Sequence, residues 1–338
     1  MFTFIDLFAG IGGFRIGLER LGGQCVFSSE IDRHAAATYE RNFGEKPAGD
    51  ITRIHPDEVP RHDVLCGGFP CQPFSVSGKQ RGFEDARGTL FFEVMRLVAA
   101  KRPRAVFLEN VANYARHQNG DTLKRSVEML EEEGYRVSHA ILSASDFGVP
   151  QARRRLYIVG LRSDVESEAF EFPKSSNSEA EVAIKDILLS NSRTSEQIID
   201  RNDIRLDEKK TRSATGRPLQ IGTINKGGQG ERIYSIDGHG ITLSAHGGGA
   251  AAKTGAYFVD GVVRRLHPIE CRRMMGFPDW FSIDSRRGQA YKQFGNAVVV
   301  PVIEAIGKRI LESAVLARKQ SEWKFDEPGK SRSLETTS

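Results

Sequence analysis

Four side chains able to do chemistry stand where apolar runs end or begin. Cys71 follows Phe69-Pro70, just beyond the run Asp63-Val64-Leu65-Cys66-Gly67-Gly68. Glu109 closes the run Ala105-Val106-Phe107-Leu108. Arg153 and Arg155 stand two residues apart where another apolar run begins, so an extended backbone turns both to one side. A cysteine flanked by Pro70, Gln72 and Pro73 is displayed, whereas Cys25 and Cys66, inside apolar runs, read as core thiols. A thiolate, a carboxylic acid and arginines in one cleft suit conjugate addition to an electron-poor ring. The thiolate adds and the acid neutralises charge at a ring nitrogen. A ring carbon made nucleophilic in this way can accept a methyl group from a sulfonium.

The start of the chain supplies a place for such a donor. Gly10, Gly12 and Gly13 follow a short apolar run and precede a helical pattern, so the backbone there can approach a ligand closely. Glu30 ends a second run, where a carboxylate typically grips ribose hydroxyls. Asp50, read as following a third short unit, offers an acceptor to an adenine amino group. By position alone, Glu30 and Asp50 are equally well solvated strand-end acids. The form Phe8-x-Gly10-x-Gly12, with a nucleophile after the fourth strand, favours S-adenosylmethionine over NAD.

The elements that must position these groups alternate. Strands are expected at 2–7, 24–28, 63–66 and 105–108, with helices near 12–21, 89–101 and 120–133. This is the pattern of an open, mostly parallel α/β sheet that binds ligands beyond its strand ends. The runs 136–143 and 154–160 are joined too closely for a crossover helix and read as an antiparallel pair. Composition then changes. Residues 161–218 are polar with one apolar stretch, 184–189, and 219–260 alternate short β-like runs with glycines. Pro268 opens a helix, and 297–317 reads as one long amphipathic helix packing back on the first domain. The expected division is 1–160 plus 261–318 as a catalytic domain, 161–260 as a smaller irregular β-rich domain, and 319–338 as a disordered tail.

Bulk properties narrow the classes. Across 338 residues the formal charge is +4 and the pI about 8.8, which permits a nucleic-acid partner without requiring one. Four cysteines with no CxxC pair argue against zinc, and no metal is expected. The N-terminus shows neither a signal peptide nor a membrane span, so the expectation is a soluble, cytoplasmic protein.

Taken in order, the motifs resemble the bacterial DNA cytosine-5 methyltransferases, and among them the small restriction-modification enzymes. The stretches are Phe4–Gly13, Gly67–Ser75 (GGFPCQPFS), Glu109-Asn110-Val111, Gln151-x-Arg153-x-Arg155, Arg265-x-x-x-Pro268-x-Glu270-Cys271, Gly276-Phe277-Pro278 and Gln293–Val298. The resemblance implies a class I S-adenosylmethionine-dependent, Rossmann-like fold with a target-recognition domain. It also implies double-stranded DNA as substrate, a monomer, and a cognate endonuclease acting on the same site. Family members turn the target cytosine out of the duplex. Cys71 matches the nucleophile that adds to C6, and Glu109 the residue at N3 and the exocyclic amine. Arg153 and Arg155 match residues that hold O2 and the nearby phosphate and carboxylate network. Phe8, Gly10, Gly12, Glu30, Ile31, Asp50, Ile51, Pro70, Leu90, Asn296 and Val298 match the cofactor pocket. Ile31 stands where the family usually has Trp.

For DNA, the resemblance points to Ser77, Lys79 and Arg81 on a catalytic loop, and to Gln229, Arg232, Thr242, Ser244 and Gly249 on two recognition loops. Gln229 matches the residue that pairs with the orphaned guanine, and Arg232 one that reads a guanine from the major groove. A GCGC core is implied. His239, Gly240 and His246 depart from that pattern. Without the resemblance, glycine-rich loops with Gln and Arg indicate only a candidate nucleic-acid contact. The rivals are a transfer-RNA methyltransferase of the same family, a DNA-binding protein with dead chemistry, and an NAD-dependent dehydrogenase, which leaves Cys71 unexplained.

Overall fold

The computed structural model describes residues 1–70, 90–165, 169–174, 182–190, 194–207 and 217–313. Cys71, Ser77, Lys79, Arg81 and the expected tail 319–338 lie outside the described residues. The main sheet holds six strands: β1 (Phe2–Leu7), β2 (Gly23–Ser29), β3 (Val64–Gly68), β4 (Ala105–Val111), β5 (Tyr135–Ser143) and β7 (Arg154–Arg162), in the order β2-β1-β3-β4-β7-β5. The first four are mutually parallel. β7 runs antiparallel to both β4 and β5, as the short connection between the last two strands demands. Order reverses on either side of β1, and the crevice at such a switch point is where open α/β sheets bind ligands.

Both faces of the sheet are covered, which is why its central strands read as nearly unbroken apolar runs. On one face Phe4, Cys66, Phe107 and Val159 pack with Phe14 of α1 (Gly13–Glu19) and with Ile303 and Ile306 of α7 (Val300–Ser313). On the other, Ile5, Leu65, Val106 and Ile158 meet Val94 and Val98 of α3 (Leu90–Lys101) and Leu130 of α4 (Asp121–Glu132). Helix α2 (Arg33–Phe43) is capped by Asp32, whose carboxylate accepts from the amides of His34 and Ala35. Two short helices, α5 (Pro268–Met274) and α6 (Arg287–Asn296), precede α7. The chain's two ends therefore build one core.

Three expectations change. The expected third unit before Asp50 is not a strand: Pro47 lacks a donor and Gly49 is left-handed (φ 81°), so only the Ala48 amide reaches β2, at Ser28 O. Asp50 instead caps a 3-10 turn, Ile51–Arg53. The long helix expected over 297–317 starts only at Val300, because Ala297 is extended (ψ 154°) between α6 and α7, and residues 314–317 lie outside the described residues. The apolar stretch near 184–189 joins the large core, with Ile184 and Ile187 among Leu243 and Met274.

The smaller sheet contains β8 (Ile204–Leu206), β9 (Gln220–Ile224), β10 (Arg232–Tyr234), β12 (Ala256–Val259) and β13 (Val262–Arg265), in the order β13-β12-β10-β9-β8. β13 runs past the expected boundary at 260. Asp260 and Gly261 both have positive φ (47° and 85°), the two-residue turn that closes a hairpin. A two-stranded link, β11 (Gly240–Ile241) beside β6 (Gln151–Ala152), stitches this region to the main sheet.

A buried ion pair locks the junction. Arg264 and Glu270 are both fully buried and meet through two bonds of 2.9 and 2.8 Å. Glu270 also accepts from the amides of Leu189 (2.7 Å) and His267 (2.6 Å), so its carboxylate is saturated. Glu270→Ala strands the guanidinium and is expected to cost about 3–5 kcal/mol of stability. A urea-midpoint shift equivalent to less than 1 kcal/mol would show that water reaches Arg264 after the truncation.

Candidate active site

One cavity of about 370 Å³ opens at the carboxyl ends of β1 to β4. Nine of the eleven expected cofactor residues line it: Phe8, Gly10, Glu30, Ile31, Asp50, Ile51, Pro70, Leu90 and Asn296. Glu109, Arg153 and Arg155 line the same cavity, so the donor half and the chemical half share one space. Gly12 and Val298 stand behind the wall. Gly12 is left-handed (φ 86°) with the Phe43 ring where a β-carbon would be, and Val298 packs on Gly13.

The first turn is built for close approach. Phe8 takes a left-handed φ of 55°, rare for an aromatic residue and the kind of strain that collects at ligand sites. Gly10 is also left-handed, and a β-carbon there would meet nothing within 4 Å. The Gly10 amide donates to Glu30 Oε2 (2.8 Å) and the Asp32 amide to Oε1 (2.7 Å). Burial raises the Glu30 pKa, and these two amides partly offset it. Each oxygen keeps a lone pair for a ligand hydroxyl. Ile31 is 73% exposed at the cavity rim. Asp50 accepts from the Thr52 amide (3.0 Å) and hydroxyl (2.8 Å), which lowers its pKa.

The chemical half centres on Glu109, which is 8% exposed. Arg155 Nε lies 3.0 Å from Glu109 Oε1. Burial raises the Glu109 pKa despite the pull of Arg155 and Arg153 in the opposite direction. Asn110, next along β4, donates to the Phe69 carbonyl at 3.0 Å and so ties β4 to the chain just after β3. Arg153 does something different from Arg155. It is buried, with Nη1 on the Leu243 carbonyl (3.1 Å) and Nη2 on those of Gly295 (3.1 Å) and Ala297 (2.9 Å). Burial pushes its pKa down to about 9, which leaves it cationic at neutral pH.

Lys292 and Asp32 were not singled out in the sequence. They meet at 2.6 Å on the cavity wall, joining α6 to the cap of α2. No local pattern signals a pair so far apart in the chain.

Of the expected DNA residues that are described, Gln229, Thr242, Ser244 and Gly249 lie on two neighbouring loops, and Arg232 opens β10. Gln229, Arg232, Ser244 and Gly249 are exposed, and Thr242 is half-buried with its hydroxyl on the Ala152 carbonyl (2.8 Å). Of the three departures, His239 is buried, Gly240 packs against Met274, Ile184 and Tyr257, and His246 is exposed.

Residues 2–312 match the family model of the C-5 cytosine-specific DNA methylases. The chain belongs to that family. As a C-5 cytosine DNA methyltransferase it resembles the Type II methyltransferase M.HhaI of Haemophilus parahaemolyticus, with 50% identity over 307 residues, 91% of this chain and 93% of that one. M.DsaV of Dactylococcopsis salina is 42% identical over 333 residues, 95% and 89% of the two chains. The crystal structure of S. pombe Dnmt2 shares the fold, with a TM-score of 0.73 at 18% identity over 92% of this chain and 99% of that one. This methyltransferase carries the family's S-adenosylmethionine-dependent α/β fold. Among its described residues, no group of three His, Cys, Asp or Glu side chains gathers as a metal site, and no helix is long and apolar enough to cross a membrane.

Proposed function

We propose that this methyltransferase modifies C5 of a cytosine turned out of duplex DNA, through an adduct on Cys71, within a site whose core reads GCGC. The observation that carries the reading is the single cavity shared by Glu30 and the Glu109–Arg155 pair. Its residues fit S-adenosylmethionine. Phe8, Ile31 and Leu90 offer apolar faces, Glu30 has acceptor capacity left, and Gly10 leaves open space at the strand end. When bound there, the cofactor supplies an electrophilic methyl group.

The chain's own groups do the rest. The Cys71 thiolate adds to C6 of the cytosine, and Glu109 supplies a proton at N3. Charge accumulates at C5, which takes the methyl. Loss of the C5 proton to water then expels the thiolate, and the N3 proton returns to Glu109, which restores the ring. Arg155 spends Nε on Glu109 and Nη1 on the Arg154 carbonyl, and offers its remaining donors to O2. Arg153 ties the Leu243 loop to the cavity wall.

Incubation with S-adenosylmethionine and genomic DNA, followed by mapping of 5-methylcytosine at base resolution, tests the reading. Methylation is expected at the first internal cytosine of GCGC. A different or longer context would move specificity to His246 and its neighbours. Absence of methylated DNA with the cofactor bound would point to transfer RNA.

A further inference from the structure

The two loops that carry the DNA residues touch each other backbone to backbone. Gly230 follows Gln229, and a β-carbon on it would overlap the Gly248 carbonyl oxygen. One on Gly249, itself left-handed (φ 94°), would stand 2.6 Å from the Gly230 carbonyl oxygen. The Ala251 amide donates to that same oxygen at 2.8 Å.

The second loop is in turn fixed to the catalytic body. Arg153 and Gln151 hold the Leu243 carbonyl and amide, each at 3.1 Å. A β-carbon on Gly295 would come within 2.7 Å of Ala245 Cα, and Gly295 precedes Asn296 on the cavity wall.

We infer that Gly230 is a positioning residue: it registers Gln229 on the catalytic cleft through an unbroken backbone path, Gly295 to Ala245 and then Gly249 to Gly230. The inference rests on the reading of these loops as DNA-reading. Backbone contacts have no rotamers to relax, so a methyl group between the loops moves Gln229 bodily away from the cleft. A displacement near 1 Å at a site of this kind costs about 100-fold in rate.

The test is kcat/KM for methyl transfer to a GCGC duplex and to duplexes with one base pair changed, alongside cofactor affinity. For Gly230→Ala, cofactor affinity is expected to match the parent. Transfer to GCGC should fall about 100-fold, and transfer to the altered duplexes by less than about tenfold, so discrimination narrows. Gly249→Ala, which enters the same contact from the other side, should give the same pattern if Gly230→Ala folds poorly. A uniform loss on every duplex, with discrimination retained, overturns the inference, because the glycines are then only structural. So does unchanged transfer. If the parent enzyme itself shows no preference among the duplexes, it is the reading of the loops that fails, and not the register between them.

Discussion

Cys71→Ala is expected to abolish methyl transfer while cofactor and duplex binding stay near the parent's. Without addition at C6, C5 has no charge with which to attack, and removal of a covalent nucleophile typically costs on the order of 10⁴-fold or more. No other thiol can substitute. Cys25, Cys66 and Cys271 are all buried. Burial pushes the Cys25 thiol up to about 12, and raises those of Cys66 and Cys271 well above the usual thiol range. A thiolate is the nucleophilic form, so these three are inert near neutral pH. Single-turnover transfer of labelled methyl, with a gel shift on the same duplex, measures both halves. Turnover within tenfold of the parent would end the covalent scheme. Loss of binding in parallel with turnover would place Cys71 in substrate capture.

The parts of this site that could be read from sequence are those whose signals are local. A strand end with its polar residue needs only a few consecutive letters, and Glu30, Glu109 and the Phe8–Gly13 turn all fall on the cavity or its wall. Arg155 falls on the same cavity, but the surroundings of Arg153 have no local signal. Alternation placed both arginines on one side, yet β6 ends at Ala152 and β7 begins at Arg154, so Arg153 turns into a nest of carbonyls from Leu243, Gly295 and Ala297. Those acceptors come from segments that only the fold brings together. The Asp32–Lys292 pair was hidden for the same reason. The Asp260–Gly261 hairpin had a local signal, an Asp-Gly dipeptide between Tyr257-Phe258-Val259 and Val262-Val263. The density of glycines in that region masked it.

Glu109→Gln should keep the fold and lose the rate. Glutamine matches glutamate in size and can still accept from Arg155 Nε, so the cavity keeps its shape. What disappears is an acid able to pass a proton to N3, and loss of a placed general acid typically costs about 100- to 10,000-fold. The pH profile separates this from a packing effect. Burial raises the Glu109 pKa, so the folded chain holds this proton more tightly than the unfolded chain. The acid form is the one addition requires, and kcat/KM should therefore fall as pH rises through that raised value. The same sign applies to stability: the contribution is present below the unfolded pKa and lost as pH climbs through the folded one. A glutamine cannot titrate. The variant is therefore expected to lack this descending limb and to melt no lower than the parent at alkaline pH. A descending limb that survives in Glu109→Gln would assign it to another group, and a rate near the parent's would mean that the ring nitrogen takes its proton from elsewhere in the cleft.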